Sequence, residues 1–326
     1  MKKSFPEFDR SRLSLYPLAE RVHDMDLQQV CPLELPKEVH PVFTAVAAQL
    51  SRASEIGASR VFFMGAHVIR SGVQRYLIDL MERGAIDLIA MNGAGAIHDY
   101  ELAMIGATTE SVARYISEGK FGLWRETGRI NDVVSRAAAC GMGLGEAIGR
   151  EISEGDFPNK DISLLARAFE LYIPVTVHVS IGQDILHEHP NCDGAAFGKT
   201  SYTDFLRFAA AMDRLENGVV MNFGSAVAGP EIYLKALAMA RNAAFIEDRG
   251  ISNFTTLVCD LAGLPTGEIT KAPDKADPLY YFRPWKTMLV RTVSDGGKGY
   301  YYRGKHIDTV PQLWAGCLKQ PAFTGK

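Results

Sequence analysis

The sequence predicts an α/β protein of the Rossmann-like kind: a doubly wound, mostly parallel sheet with helices on both faces. Three observations predict it. Short apolar runs alternate with segments of helical spacing about 10–15 residues long, the signature of βα units. Several apolar runs end in loops of small residues, where such sheets bind ligands. The chain has 326 residues, 47% of them hydrophobic and 22% charged, which is enough for one large α/β unit and ordinary for a globular protein.

Residues 1–40 are spaced by prolines and read as an N-terminal arm. Residues 41–318 read as a single unit. The stretch 41–56 has helical spacing. RVFFMG (60–65) is a strand candidate and AHVIRSG (66–72) a loop. VQRYLIDLMERG (73–84) is an amphipathic helix that stops at a glycine. DLIAMN (87–92) is a second buried strand, and GAGAIHD (93–99) is expected to be a loop. Residues 106–160 are glycine-rich, helical in spacing, and read as an insertion. The alternation then resumes. Helix 162–172 leads into strand IPVTVHVSIG (173–182), and helix 202–215 into strand and loop GVVMNFGSAVAG (218–229). The helix at 230–244 has a proline in its first turn. Further strands are expected at 251–261, 287–293 and 300–304.

The totals exclude several classes. Net charge is −3 and Lys and Arg form no stripe, so no nucleic-acid footprint is expected. No apolar run reaches the roughly 18 residues of a membrane span, and the basic start lacks the apolar core of a signal peptide. Five scattered cysteines without a C-x-x-C pair indicate neither a disulfide framework nor a thiolate zinc site. A reducing cytoplasmic setting is expected.

Three strand ends open into small-residue loops: GAHVIRSG, NGAGAIHD and FGSAVAGPE. Small residues admit a phosphate or ribose close to the backbone, and a helix start behind them offers free N–H groups. Each alone also fits a tight βα turn; three in one sheet point to a dinucleotide site. The segment TVHVSIGQDILHEHPNCDG holds His178, Asp184, His187, His189 and Asp193. It admits a metal reading, but its spacing matches no closed zinc pattern, and no metal is expected. Asp184, on a strand-end loop, suits a cationic ligand. Asp99 and Glu231 stand near helix starts, where they either cap the helix or face the same ligand.

Lys286 stands between Phe282, Pro284 and Trp285 on one side and Met288, Leu289 and Val290 on the other. It is either a surface lysine with its stem on Trp285 or an amine held half-dry at the mouth of a strand, where burial favours the neutral, nucleophilic form.

Taken in order, these segments resemble the deoxyhypusine synthase family. FMGAHVIRSGVQRYLIDLMERGAIDLIAMNGAGAIHD resembles its strand, loop, helix, strand and glycine turn. GEAIGREI and IPVTVHVSIGQDI resemble its central helix, strand and aspartate loop. NFGSAVAGPEIYLKAL resembles its G-G-G-V-V turn and helix, and RPWKT its W-G-K motif. The likeness runs collinearly over about residues 40–315. It implies an NAD-dependent aminobutyl (aminoalkyl) transferase that takes its group from a polyamine such as spermidine through an enzyme-lysine imine. It further implies a homotetramer. By position, Lys286 matches the imine-forming lysine, Asp184 an amine-binding aspartate, and Trp285 the motif's tryptophan shifted by one place. Gly65, Ala66, His67, Val68, Ile69, Gly93, Ala94, Gly95, Asp99, Gly224 and Ser225 match cofactor contacts. The family's K-H-H-I histidine falls on GPEI (229–232), so Pro230 or Glu231 occupies its place; a proline cannot move a proton, which leaves Glu231 as the candidate for the catalytic role. The family's E-F-D-G-S-D-S-G-A segment has no counterpart in NFTTLVCDLAGLPTG. These departures leave two alternatives open, and the His178–His189 segment a third. They are homospermidine synthase-type transfer to a small amine, an NAD-binding protein without transferase activity, and a metal-dependent hydrolase built on the histidine segment.

Overall fold

Why the alternating runs become a sheet with two covered faces is visible in a computed structural model that describes residues 5–324. The chain forms β1 (Met25–Asp26), α1 (Pro41–Glu55), β2 (Arg60–Met64), α2 (His67–Arg70), α3 (Gln74–Glu82), β3 (Leu88–Asn92), α4 (Gly93–Ile105) and β4 (Ala107–Thr108). Helices α5 (Val112–Glu118), α6 (Arg129–Cys140), α7 (Leu144–Glu154) and α8 (Leu164–Glu170) follow. Then come β5 (Val175–His178), α9 (Gly194–Asp213), β6 (Val219–Phe223), α10 (Ala228–Ile246), β7 (Thr255–Asp260), β8 (Gly267–Glu268), β9 (Lys298–Arg303) and α11 (His306–Cys317). The main sheet has seven strands in the order β5-β3-β2-β6-β7-β9-β8. All neighbours are parallel except β8, which runs antiparallel to β9 at the edge. The fold is therefore α/β with a mostly parallel sheet, Rossmann-like as expected.

Side chains alternate across each strand and supply two cores. Phe62, Met64, Ile89, Met91, Met221 and Phe223 pack on the face covered by α1, α3, α4 and α11. Val61, Phe63, Leu88, Ala90 and Val220 pack on the face covered by α9 and α10. Both faces are dry, which is why the strands read as continuous apolar runs rather than alternating ones.

Three elements differ from expectation. The GAGAIHD stretch is not a loop but the start of α4, entered directly from β3, with the Asn92 side chain accepting from the Gly95 N–H (3.1 Å). Glycine costs about 1 kcal/mol in a helix. Burial of Ile97, Tyr100 and Leu102 returns about 1.5–3 kcal/mol each, so packing wins. AHVIRSG contains the single turn α2, whose Val68 and Ile69 are fully buried. TMLVRTV is not a strand: Trp285–Arg291 is a π-helix. Met288 and Leu289 fill the α9–α10 core, and β9 already occupies the place beside β7. An apolar run of this length carries no period that separates strand from buried helix.

The arm before α1 is bound to the body by a buried ion pair. Arg21 and Glu101 side chains are each 1% exposed and meet through two hydrogen bonds (2.9 and 2.6 Å). Thr108 and Thr127 hydroxyls also donate to Glu101 (2.7 and 2.5 Å). Burial pushes the Glu101 carboxyl up, but Arg21 and these donors outweigh it and hold it below its ordinary value. Removing one partner of such a pair strands the other charge in the core. Arg21→Met is expected to lower stability by about 3–5 kcal/mol, measured by urea unfolding, and adding Glu101→Leu is expected to recover part of the loss. An unchanged midpoint for Arg21→Met would show that the pair does not hold the arm.

Candidate functional site

The strand order reverses between β2 and β6: β3 and β5 lie to one side of that line, β7 and β9 to the other. A crevice opens at such a reversal beyond the carboxyl ends of the strands. Here the two strand ends touch. The Gly65 N–H donates to the Phe223 carbonyl (2.9 Å). A Cβ on Gly65 would stand 2.5 Å from the Gly224 carbonyl oxygen, so no side chain fits. Gly224 has φ +70° and its own missing Cβ faces His306 Nε2 at 2.5 Å. Polar atoms without partners lie at this end of β6: Asn222 Oδ1 and His306 Nδ1 are both buried and unpaired. Ser225 Oγ accepts from the Gly229 N–H (2.9 Å) and so closes the turn into α10.

Beside the crevice lies a cleft of about 590 Å³, bordered by Asn92, His178, Asp184, Ser201, Glu231 and Ile232 among others. Asn92 and His178 are paired residues at the ends of β3 and β5. His178 is stacked on Phe63 (5.7 Å between centroids) and meets Phe208 edge-on (5.5 Å). Burial pulls its pKa down to about 4, so it is neutral at pH 7. Its Nε2 shares a hydrogen bond with Thr176 Oγ1 (3.0 Å).

Asp184 lies against the N-terminus of α4. A Cβ on Gly93 would stand 2.2 Å from its Oδ2, and the Ala94 N–H donates to it. Burial pushes its carboxyl up to about 6, and the Ala94 hydrogen bond offsets only part of that. Two of the N–H groups that a dinucleotide would need here, those of Ala94 and Gly95, are therefore met in this arrangement by Asp184 and Asn92.

The other expected residues fall as follows. Gly65, Ala66 and His67 are at the crevice, but Val68 and Ile69 point into the core and cannot meet a ligand. Asp99 is not at the mouth. It is 1% exposed and caps α8, accepting from Ser163 Oγ and from the Leu164 and Leu165 N–H groups (2.5, 2.9 and 3.1 Å). Glu231 borders the cleft but is held by Lys235 and Arg283. The Lys235 hydrogen bond, with help from Arg283, keeps its carboxyl below the usual range, which makes it a weak proton acceptor.

Lys286 and Trp285 do not border the cleft. The Lys286 ammonium sits 3.8 Å from the centroid of Tyr280, a cation–π contact, and Trp285 Nε1 donates to the Lys271 carbonyl (2.8 Å). Arg283, three residues earlier, is the residue of this segment that reaches Glu231 at the cleft. His187 Nδ1 accepts from the Gly182 and Asp184 N–H groups (3.2 Å each), and His189 Nε2 meets the Gly122 carbonyl (2.8 Å). Among the described residues, no group of three or more His, Cys, Asp or Glu side chains is placed to hold a metal ion. Nor is any described helix long and apolar enough to cross a membrane.

Sequence reading missed Asn92, Ser201, Arg283 and His306. A polar residue closing an apolar strand, as in Asn92 and His178, was the legible signal for the first. Nothing local marks the others, which arrive from α9, the segment just before the π-helix and α11.

No family model matches this chain, and no curated protein matches it in sequence. Solved structures do. Unliganded AgrE aligns with 89% of this chain at 13% identity and a TM-score of 0.53. AgrE with ornithine and NAD+ aligns with 86% at 15% and 0.50. ArgZ, an arginine dihydrolase from cyanobacteria, aligns with 86% at 14% and 0.51. The alignments take in 34%, 33% and 33% of those chains, so this chain spans about a third of their length. At these identities the likeness establishes the fold. A putative deoxyhypusine synthase from Entamoeba histolytica aligns with 79% of this chain and 74% of its own at 10% identity and a TM-score of 0.38, too low to build on.

Asp184 is expected to titrate with a midpoint near 6, well above an ordinary aspartate. Carboxyl-carbon NMR of the folded protein measures it, with Asp184→Asn to assign the signal. A midpoint near 4 would mean that the carboxylate is solvated and not held against α4.

Proposed function

We propose that this chain is an NAD-dependent enzyme that binds a small amine in the Asp184 cleft. The observation that carries the proposal is the sheet reversal itself, where the ends of β2 and β6 meet through Gly65 and Gly224 with no side chain between them. The unpaired Asn222 Oδ1 is an acceptor that suits a ribose hydroxyl, and the unpaired His306 Nδ1 suits a hydroxyl or, when it carries the proton, a phosphate oxygen. AgrE, which shares this fold, is described in complex with NAD+ and ornithine, and this supports the cofactor. NAD bound there supplies an oxidant for a C–H bond next to an amine nitrogen. The chain's own groups bind and orient. Asp184, ionised above pH 6, holds a substrate ammonium. Neutral His178 accepts or donates one hydrogen bond at the cleft wall. The apolar surface of Ile232 excludes water.

The narrower form is aminobutyl transfer from a polyamine such as spermidine through a Lys286 imine, in a homotetramer, as the sequence resemblance implies. It requires Lys286 to leave Tyr280 and turn past Arg283 towards the cleft. A second reading, NAD binding without transfer, is favoured by one observation: Lys286 lies outside the cleft lining.

Calorimetry is expected to detect NAD binding, and Gly65→Val to weaken it at least roughly tenfold, because the side chain must displace the Gly224 carbonyl. Amine binding is expected to strengthen as pH rises through about 6, where Asp184 ionises while the amine stays protonated. No heat with millimolar NAD sinks the cofactor assignment. Incubation with NAD and spermidine followed by borohydride separates the two readings. An aminobutyl mass on the Lys286 peptide, lost in Lys286→Arg, supports transfer. NAD binding with no adduct at Lys286 supports the second.

A further inference from the structure

Behind Asp184 lies a separate chamber of about 260 Å³. Asp184 borders it on one side and the larger cleft on the other. Its wall includes Arg70, His98, Thr109, Glu110 and Phe121. The fold uses Glu110, which accepts from the Gly122 N–H and Trp124 Nε1 (3.1 and 2.8 Å), but neither the fold nor the proposed cofactor site accounts for Arg70 and the Thr109 hydroxyl.

Arg70 is exposed, and the contact its guanidinium makes is with His67 Nε2 (3.4 Å), not with a carboxylate. Thr109 is 8% exposed, yet its hydroxyl has no hydrogen-bond partner. It also holds φ +65°, a conformation that costs a threonine of order 1–3 kcal/mol. A buried hydroxyl without a partner carries a further desolvation penalty. Thr109 borders the chamber, and a ligand oxygen reaching that hydroxyl would relieve it.

His98 presents a defined face to the same space. Glu101 only accepts hydrogen bonds, so the single Thr108 hydroxyl proton goes to Glu101. The Thr108 oxygen must then accept from His98 Nδ1–H (2.9 Å). That fixes the tautomer and leaves His98 Nε2 as a bare acceptor. Burial pulls the His98 pKa down to about 4, so the lone pair is present at neutral pH. The buried Arg21–Glu101 pair thus orients an acceptor as well as holding the arm.

We propose that this chamber recognises a ligand carboxylate, with Arg70 as its counter-ion and the Thr109 hydroxyl as its neutral donor, so that the amine held by Asp184 belongs to an amino acid rather than to a plain diamine. The proposal rests on the amine-binding reading given above and narrows its substrate class. Cation and anion stand on one cavity wall, as a zwitterion requires. Arg70 can meet a carboxylate in two parallel hydrogen bonds, which a diamine cannot offer. The free Nε2 of His98 takes an N–H from the ligand's ammonium.

Matched pairs that differ only in the carboxylate test it: ornithine against putrescine, and lysine against cadaverine, by calorimetry on the full chain saturated with NAD. The amino acid of each pair is expected to bind at least roughly tenfold tighter than its diamine. Arg70→Gln is expected to remove that advantage and leave diamine affinity unchanged, and Arg70→Lys to keep part of it. Thr109→Val is expected to weaken the amino acid alone. Thermal unfolding of each variant guards against misfolding. Diamines that bind as tightly as their amino acids, through Asp184 and regardless of Arg70, overturn the carboxylate proposal and leave the amine reading standing. Failure of both members of both pairs overturns the two together.

Discussion

The two halves of the sheet meet where the end of β2 lies against the end of β6, with no room for a side chain between them. That contact depends on Gly65 and Gly224. A methyl group at either position would collide, with the Gly224 carbonyl in one case and with the His306 ring in the other. Everything proposed to bind ligand is arranged around this line. β3 and β5 carry Asn92, His178 and the Asp184 loop to one side. β6 carries Ser225 and the start of α10. α11 returns from the far edge of the sheet to set His306 over the junction.

Charge around the mouth is divided unevenly. Glu231 is already neutralised by Lys235 and Arg283, and Asp99 is spent on capping α8. Asp184 has only an N–H group and the α4 terminus for company, and burial leaves it close to half-ionised near pH 6. Among the three acidic residues that the sequence offers for this mouth, it alone keeps a charge available to a cationic ligand. Arg70 is its counterpart on the cationic side, near the mouth but without a carboxylate. Both border the same chamber.

The fold was legible because both sheet faces are buried. Continuous apolar strands punctuated by glycine, with helices of regular spacing between them, leave few other architectures. The failures have physical causes. GAGAIHD looked like a loop because glycine is a poor helix former, but tertiary burial of its successors overrides that preference. TMLVRTV looked like a strand because β-branched and apolar residues suit either a strand or a buried helix. Lys286 appeared half-dry beside Trp285 in sequence, yet neighbours in sequence on a π-helix do not share a face, and Tyr280 took the ammonium instead. Asp184 was legible as a mouth residue because it lies on a strand-end loop, and the structure sets it at the cleft against the α4 terminus. His306 and Arg283 carried no local sign, since only the return of distant elements brings them to the mouth.

The central claim is that a dinucleotide lies across the Gly65–Gly224 junction. A crystal structure of the chain grown with NAD tests it most directly. The account predicts the pyrophosphate over the turn Gly224–Ala228, within hydrogen-bond distance of its backbone N–H groups, with a ribose against His306. A dinucleotide bound at the opposite, amino-terminal end of the strands, or well-ordered crystals with the junction empty at saturating NAD, would contradict it.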